Sequence, residues 1–437
     1  MPHDADASAS ASTSGRETPR RARIDAFDHL RGYFVALIIV THLYLSPNLI
    51  EVVTGRGALP ASAAEGFCAI SGIVMGYVFL PRVRRDGLRP VTIRLVRRAL
   101  MIYLAAVALT GIRLMFAARE GTAVDAGTVV EAVTLRTAAG VEPDFLALYA
   151  LVVLGSPLVL WAAAHRREWI AIALTGVTWL IAQFAPALDD ADAMRLSWSF
   201  LFVMGVTIGC RWPELARAWR RLPARARSWI ATALVVGFVA SALLAEFLIF
   251  WNHHLLVAAA GADGPALDAM RGIEARFLAE WTWFGPLQDK ASLAPFRLVI
   301  GTLWFAALFL VFRRVGPRLD RALGGMLTTF GRNSLEAYVA HRLVIELVIA
   351  PTIWVRIAER DDILLNTAVV IATEVVVLVS VRAWLAVRAR PAVRAARRAG
   401  TARDRRDDSS EPGRAGSTAS PATMAPFAVV ESTTVVR

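Results

Sequence analysis

Two ionisable side chains interrupt an apolar run near the start of the chain. In "LRGYFVALIIVTH", residues 30–42, Arg31 and His42 enclose ten residues that are nearly all apolar. A helix turns about 100° per residue, so eleven positions come round to about 20° past three full turns, and the two side chains share a face. The rise between them is about 16 Å, roughly half the hydrocarbon thickness of a bilayer. A neutral imidazole in a dry cleft can take a proton from a hydroxyl as a general base. The same ring can instead hydrogen-bond a neighbouring helix or a headgroup. Arg31 is either an inner-surface anchor or a member of the site. Asp28, three residues earlier, lies on the same face and can pair with it.

Three further clusters carry polar chemistry. In "GRNSLEAYVAHRLVIE", residues 331–346, Asn333 and Ser334 suit a helix start, and Arg342 and Glu346 are spaced to neutralise one another. His341 has no such local partner, so it either faces His42 or bonds a carbonyl on another helix. In "AEGFCAISGIVMGYVF", residues 64–79, Glu65 stands at the outer end of a span, with Ser71 further in; Gly72 and Gly76, four apart, suit close helix packing. "DKASLAPFR", residues 289–297, holds Lys290, the single lysine of the chain, and Arg297. These two are either outer-surface anchors or a site for an anionic group.

The elements that must position these residues are membrane spans. The 437 residues are 56% hydrophobic and only 19% charged, and long apolar stretches recur throughout. About ten transmembrane helices are expected, near 30–50, 63–81, 96–117, 145–164, 168–186, 196–211, 228–251, 296–313, 334–353 and 363–387, giving an all-α polytopic integral membrane protein. The net charge of +12 is concentrated in alternate loops. Residues 82–98 hold seven arginines, 211–227 six, 313–321 four and 388–406 eight, whereas 118–143 and 187–195 are acidic on balance. This is the positive-inside pattern, with both termini cytoplasmic and the lipid bilayer as partner. It makes nucleic acid an unneeded explanation of the charge.

Residues 1–23 read as a disordered cytoplasmic tail, 24–390 as one transmembrane domain, and 391–437 as a basic, then disordered, cytoplasmic tail. Cys68 and Cys210 provide neither a disulfide framework nor a zinc motif, and no spacing suggests another metal site. In the long outer loop 252–295, Trp281, Trp283 and Phe284 suggest a segment lying on the membrane surface.

"DHLRG" followed by His42 at R-x10-H resembles the first span of the membrane acyltransferase family 3 superfamily. "AEGFCAISG", "EPDFLALYALVVLGSP", "LSWSFLFVMGVTIG", "DKASLAPFR" and "TTFGRNSLEAYVAH" are similar, in order, to runs of its OpgC branch, the succinyltransferases of periplasmic glucans. The resemblance covers about residues 24 to 350. It departs at Thr41, where that branch often carries aspartate before the histidine.

The resemblance implies acyl transfer from a cytoplasmic acyl-CoA, either succinyl-CoA or acetyl-CoA, to a hydroxyl of an extracytoplasmic glycan. It places the protein in the bacterial cytoplasmic (inner) membrane. Arg31 and His42 match the essential pair and Asp28 the acidic position before it. Glu65, Ser71, Asp144, Lys290, Arg297, Asn333 and His341 match motif positions that would contact substrate or acyl group. No bound cofactor is expected; acyl-CoA is a co-substrate. Arg97 and Arg98, at the mouth of the third span, are the candidates for its phosphates. His42 would act as general base or carry the acyl group itself. The competing class is a transporter or flippase for a glycan, lipid precursor or acyl donor, since buried Arg, His and Glu also suit a substrate path.

Overall fold

The structure, a computed structural model, describes residues 24–46, 48–54, 59–134, 136, 145–185, 188–252, 255–256, 259, 262–354 and 362–408. Among the described residues the only regular structure is helix, with no strand. The chain divides into two units, Met1–Arg382 and Ala383–Arg437. In the first, α1 (Asp25–His42) and a short α2 (Glu51–Thr54) precede α3 (Ala63–Asp86) and α4 (Leu88–Arg119). Next come α5 (Ala126–Val133), α6 (Phe145–Ala164), α7 (Glu168–Phe184), α8 (Asp190–Cys210) and α9 (Trp212–Arg221). α10 (Ala224–Glu246) runs into a π turn at Phe247–Trp251 and is followed by α11 (Pro265–Phe284) and α12 (Pro295–Ala322). α13 (Met326–Arg332) and α14 (Ser334–Val344, continued by a π segment at Ile345–Trp354) lead to α15 (Ile363–Asp408). In the second unit, residues 383–408 are helical.

Among the described residues, seven helices are long and apolar enough to cross a membrane: α3, α4, α6, α8, α10, α12 and the Ile363–Arg390 part of α15. The other three expected spans are helical too, but each differs in kind. α1 carries Asp25, Asp28 and Arg31 in its 18 residues, α7 has 17, and α14 has 11 before its π continuation. Charge is tolerated in α1 because the helix is packed among others, with Asp28 and Arg31 buried. Most of its length is buried, against α3, α12, α13 and α14.

Two boundaries differ from the sequence expectation. The apolar pattern extends the first span to residue 50, yet the helix stops at His42. Tyr44 takes a left-handed φ of 52°, and Asn48 then starts α2 by accepting the Ile50 and Glu51 amides at 3.0 and 3.1 Å. The arginine-rich stretch 82–98, read as a loop, is helical except at Gly87, whose φ of 83° turns the chain from α3 into α4. Pro90 does not break α4, because first-turn amides need no helical partner.

The close packing expected at Gly72 and Gly76 is present, and its partner is a second pair of glycines. α3 meets α8 backbone to backbone: a Cβ at Gly72 would strike the Phe202 carbonyl and one at Gly76 that of Val206. From the other side, Gly205 faces the Ala69 carbonyl and Gly209 that of Ile73. Such contact is available only to small residues. Gly76→Leu is therefore expected to destabilise the protein at or above the upper end of the about 1–3 kcal/mol typical of overpacking, read as a lower thermal unfolding midpoint in detergent. An unchanged midpoint would contradict the contact. Gly32 against the Leu327 carbonyl and Gly331 against that of Asp28 bring α1 onto α13 in the same way.

Candidate active site

His42 ends α1, and its side chain lines a cavity of about 870 Å³. Its Nδ1 lies 3.0 Å from Nε2 of His341, on α14 and 299 positions later in the chain. The two rings are nearly parallel, 23° apart, with centroids separated by 5.2 Å. Tyr338, one turn before His341, stands edge-on to both at 89°, with centroids at 6.2 Å from His42 and 4.7 Å from His341. His341 is completely buried behind His42, whereas His42 and Tyr338 reach the cavity. The sequence leaves two partners open for His341; the structure gives it His42 by direct contact.

The neighbouring polar groups are spoken for. The Thr41 hydroxyl donates back to the carbonyls of Leu37 and Ile38, at 3.2 and 3.0 Å. Arg342 pairs with Glu346 at 3.0 Å, as the spacing predicts, and Arg113 of α4 adds a second cation at 3.9 Å.

A second wall of the cavity is built on Glu65. The sequence allows it to be a surface carboxylate, but it is 6% exposed. One oxygen accepts from the backbone N–H and hydroxyl of Ser62, both at 2.5 Å, which caps the start of α3. The other accepts from Nε of Arg297, itself only 4% exposed. Arg297 Nη1 donates in turn to the carbonyls of Leu59 and Gln288, both at 3.3 Å, and its Nη2 is left without a hydrogen-bond partner.

Lys290 lies on the connector between α11 and α12, and four consecutive carbonyls of that connector are held by side chains of α7 and α8. Trp198 Nε1 donates to Lys290 at 3.0 Å, Ser197 Oγ to Ala291 at 2.8 Å, Gln183 Nε2 to Ser292 at 2.6 Å and Trp179 Nε1 to Leu293 at 2.9 Å. Lys290 also lines the cavity. Withdrawal from bulk water lowers its ammonium pKa below the usual lysine value; the Glu65 carboxylate opposes this, and Arg297 adds to it.

The remaining sequence candidates lie elsewhere. Asp28 accepts from Arg332 Nε at 3.3 Å, and Arg31 Nη1 donates to the Gly331 carbonyl at 3.3 Å, so both join α1 to α13, away from the cavity walls. Ser71 is buried on α3, and Asn333 Nδ2 returns to the Thr329 carbonyl at 2.9 Å. Arg97 and Arg98 sit on α4, which contributes no residue to this cavity. Asp144 lies outside the described residues, as do the two tails up to residue 23 and from 409. Trp281, Trp283 and Phe284 fall on α11, but their side chains are outside those described. Among the described residues, no group of three or more His, Cys, Asp or Glu could hold a metal ion.

Sequence reasoning passed over Tyr338 and Glu246. Tyr338 is three residues before His341, a spacing that puts both on one helix face. Glu246 is the one acid inside the segment 228–251, and an acid inside a span is itself a signal.

A family model described as OpgC protein matches residues 20–390. The chain belongs to the OpgC protein family. The match takes in every element that lines the cavity, from α1 to α14. Membership in the OpgC family suggests a glucan-modifying acyltransferase role. No curated protein and no solved structure matches the chain.

Proposed function

We propose that the chain is a membrane-bound O-acyltransferase that moves an acyl group from acyl-CoA to a hydroxyl of an extracytoplasmic glycan, with His42 as general base. The observation that carries this reading is the 3.0 Å contact between His42 Nδ1 and His341 Nε2 at the wall of a cavity of about 870 Å³. One hydrogen lies between the two nitrogens. When it belongs to His42 Nδ1, the other nitrogen of His42, Nε2, carries a bare lone pair and can accept a proton. The position before the base, where the resemblance leads one to expect an acid, is held by Thr41, and the orienting partner comes from α14 instead.

In the proposed step, Nε2 of His42 takes the proton of the acceptor hydroxyl as its oxygen bonds to the thioester carbonyl carbon. The tetrahedral intermediate then collapses, the carbon–sulfur bond breaks, and the leaving thiolate recovers the proton from His42 as the free thiol of coenzyme A. Such base catalysis is worth about 10²–10⁴ in rate. Lys290, with Nη2 of Arg297 beside it, offers positive charge to the distal carboxylate of a succinyl donor. Arg97 and Arg98 would hold the coenzyme phosphates at a distance, with the pantetheine arm reaching to the cavity. In the bacterial cytoplasmic membrane, with both termini inside, the arginine-rich end of α3 and start of α4 face the donor's compartment.

Proteoliposomes given radiolabelled succinyl-CoA or acetyl-CoA and a glucan should yield labelled glucan; movement of either compound without covalent change would overturn the reading. His341 supplies a finer test. His341→Phe should lower kcat on the order of 10²-fold with little change in KM, whereas His341→Gln, whose amide oxygen can still accept from His42 Nδ1, should recover much of the rate. Equal rates for the two variants would remove His341 from the mechanism.

A further inference from the structure

We propose that the Glu246 end of the cavity is a subsite for an uncharged, hydroxyl-rich ligand, a sugar ring held through neighbouring hydroxyls by the Glu246 carboxyl. This deepens the acyltransferase reading and rests on it for the identification of the sugar as acceptor.

Glu246 is the sole buried residue of α10, a helix whose other side chains are exposed or half-exposed. It is 8% exposed, and its Oε1 has no hydrogen-bond partner. A desolvated, unpartnered carboxyl oxygen is costly inside a membrane protein, and no packing benefit requires an acid at this position. The oxygen is not sealed in apolar surroundings: Glu246 lines the same cavity as His42, together with Ala242 and Phe238, one and two turns earlier on its helix. α10 passes into its π turn at the next residue, a local distortion frequent at functional sites.

The surroundings select the ligand class. Trp304 of α12 also lines the cavity; its Nε1 donates to Ser241 Oγ at 2.9 Å, and Phe238 stands edge-on to it at 5.3 Å and 83°. The indole is thus fixed and its N–H already used, which leaves apolar ring surface in the same cavity as the Glu246 carboxyl. A carboxyl next to a fixed aromatic ring suits a sugar, which presents adjacent hydroxyls at its edge and C–H groups on its face. A divalent cation would need further oxygen ligands, and among the described residues no acidic cluster provides them. Glu246 and His42 border one cavity, so the proposed subsite and the proposed base share one space.

The test is equilibrium dialysis of radiolabelled glucose and a glucose hexasaccharide against the full chain in nanodiscs, which needs no acyl transfer. Wild type should bind both. Glu246→Ala should weaken binding about tenfold or more, and the isosteric Glu246→Gln should weaken it less, since its amide oxygen still accepts. Acyl-CoA binding should be unaltered in both Glu246 variants, which also certifies their fold. Sugar binding by a folded Glu246→Ala as tight as wild type, no sugar binding by wild type, or binding lost on adding EDTA would each overturn the proposal. The glucan-labelling assay on His42→Ala judges the acyltransferase reading separately: loss of transfer with an unaltered Glu246→Ala affinity leaves that reading standing and removes only the subsite.

Discussion

Replacing His42 with alanine is expected to abolish the proposed glucan acylation while leaving the protein folded. The rate loss is expected to reach at least the about 10²–10⁴-fold contributed by a general base, because His42 is the one histidine among the described residues that line the cavity. His341 is fully buried behind it, and Thr41 is tied to its own helix. The structural effect should be small by comparison. His42 sits in the last turn of α1, beside a cavity, so removing its ring opens no sealed core; it leaves His341 Nε2 without its partner, a loss of about 1–3 kcal/mol. The measurement is transfer of label to glucan by purified His42→Ala, with its unfolding midpoint as control. Retained transfer would end the assignment of His42 as base. Rapid quenching and mass spectrometry of wild type separate base from nucleophile: label bound covalently at His42 supports the acyl-histidine route, and its absence through the burst supports direct attack.

The second large effect is on stability and comes from Glu65 and Arg297. Each is nearly completely buried, and they share a direct ion pair across 232 positions of sequence. Removing one member leaves the other as an uncompensated buried charge, so Glu65→Leu and Arg297→Met should each destabilise by about 3–5 kcal/mol. The double variant should lose markedly less than the sum, because two apolar side chains leave no stranded charge. Thermal unfolding of the four proteins in one detergent gives the cycle; additive losses would mean that the pair is not coupled. Glu65→Leu should be the worse single variant, since it also removes the acceptor for the Ser62 amide and hydroxyl at the start of α3.

The two effects also differ in how they could be foreseen. Arg31 and His42 share a face by helical arithmetic alone, and the structure has them on one helix, α1. The close approach at Gly72 and Gly76 was likewise legible, since only small residues permit it; that Gly205 and Gly209 form the other half was not, because nothing local says which helix will come alongside. The same limit hid Glu65. Its spacing from Ser62 signals a helix cap, but its burial depends on Arg297 arriving from α12. The end of α1 was misplaced because apolar residues continue past His42, and hydropathy does not register a left-handed Tyr44 or the capping side chain of Asn48.

By itself the sequence determined that this is an all-helical chain of membrane character, roughly where its helices lie, and that a histidine and an arginine were placed at a cost that demands a reason. Those are properties of composition and of period, set by residues within a few turns of one another. Tertiary structure alone decided that His42 meets His341, that Arg297 is largely committed to Glu65, that Lys290 lies on a connector held by four side chains, and that Glu246 opens into the same cavity as His42. Each depends on the register between separate helices, which is fixed by how whole faces pack and not by any run of neighbouring residues.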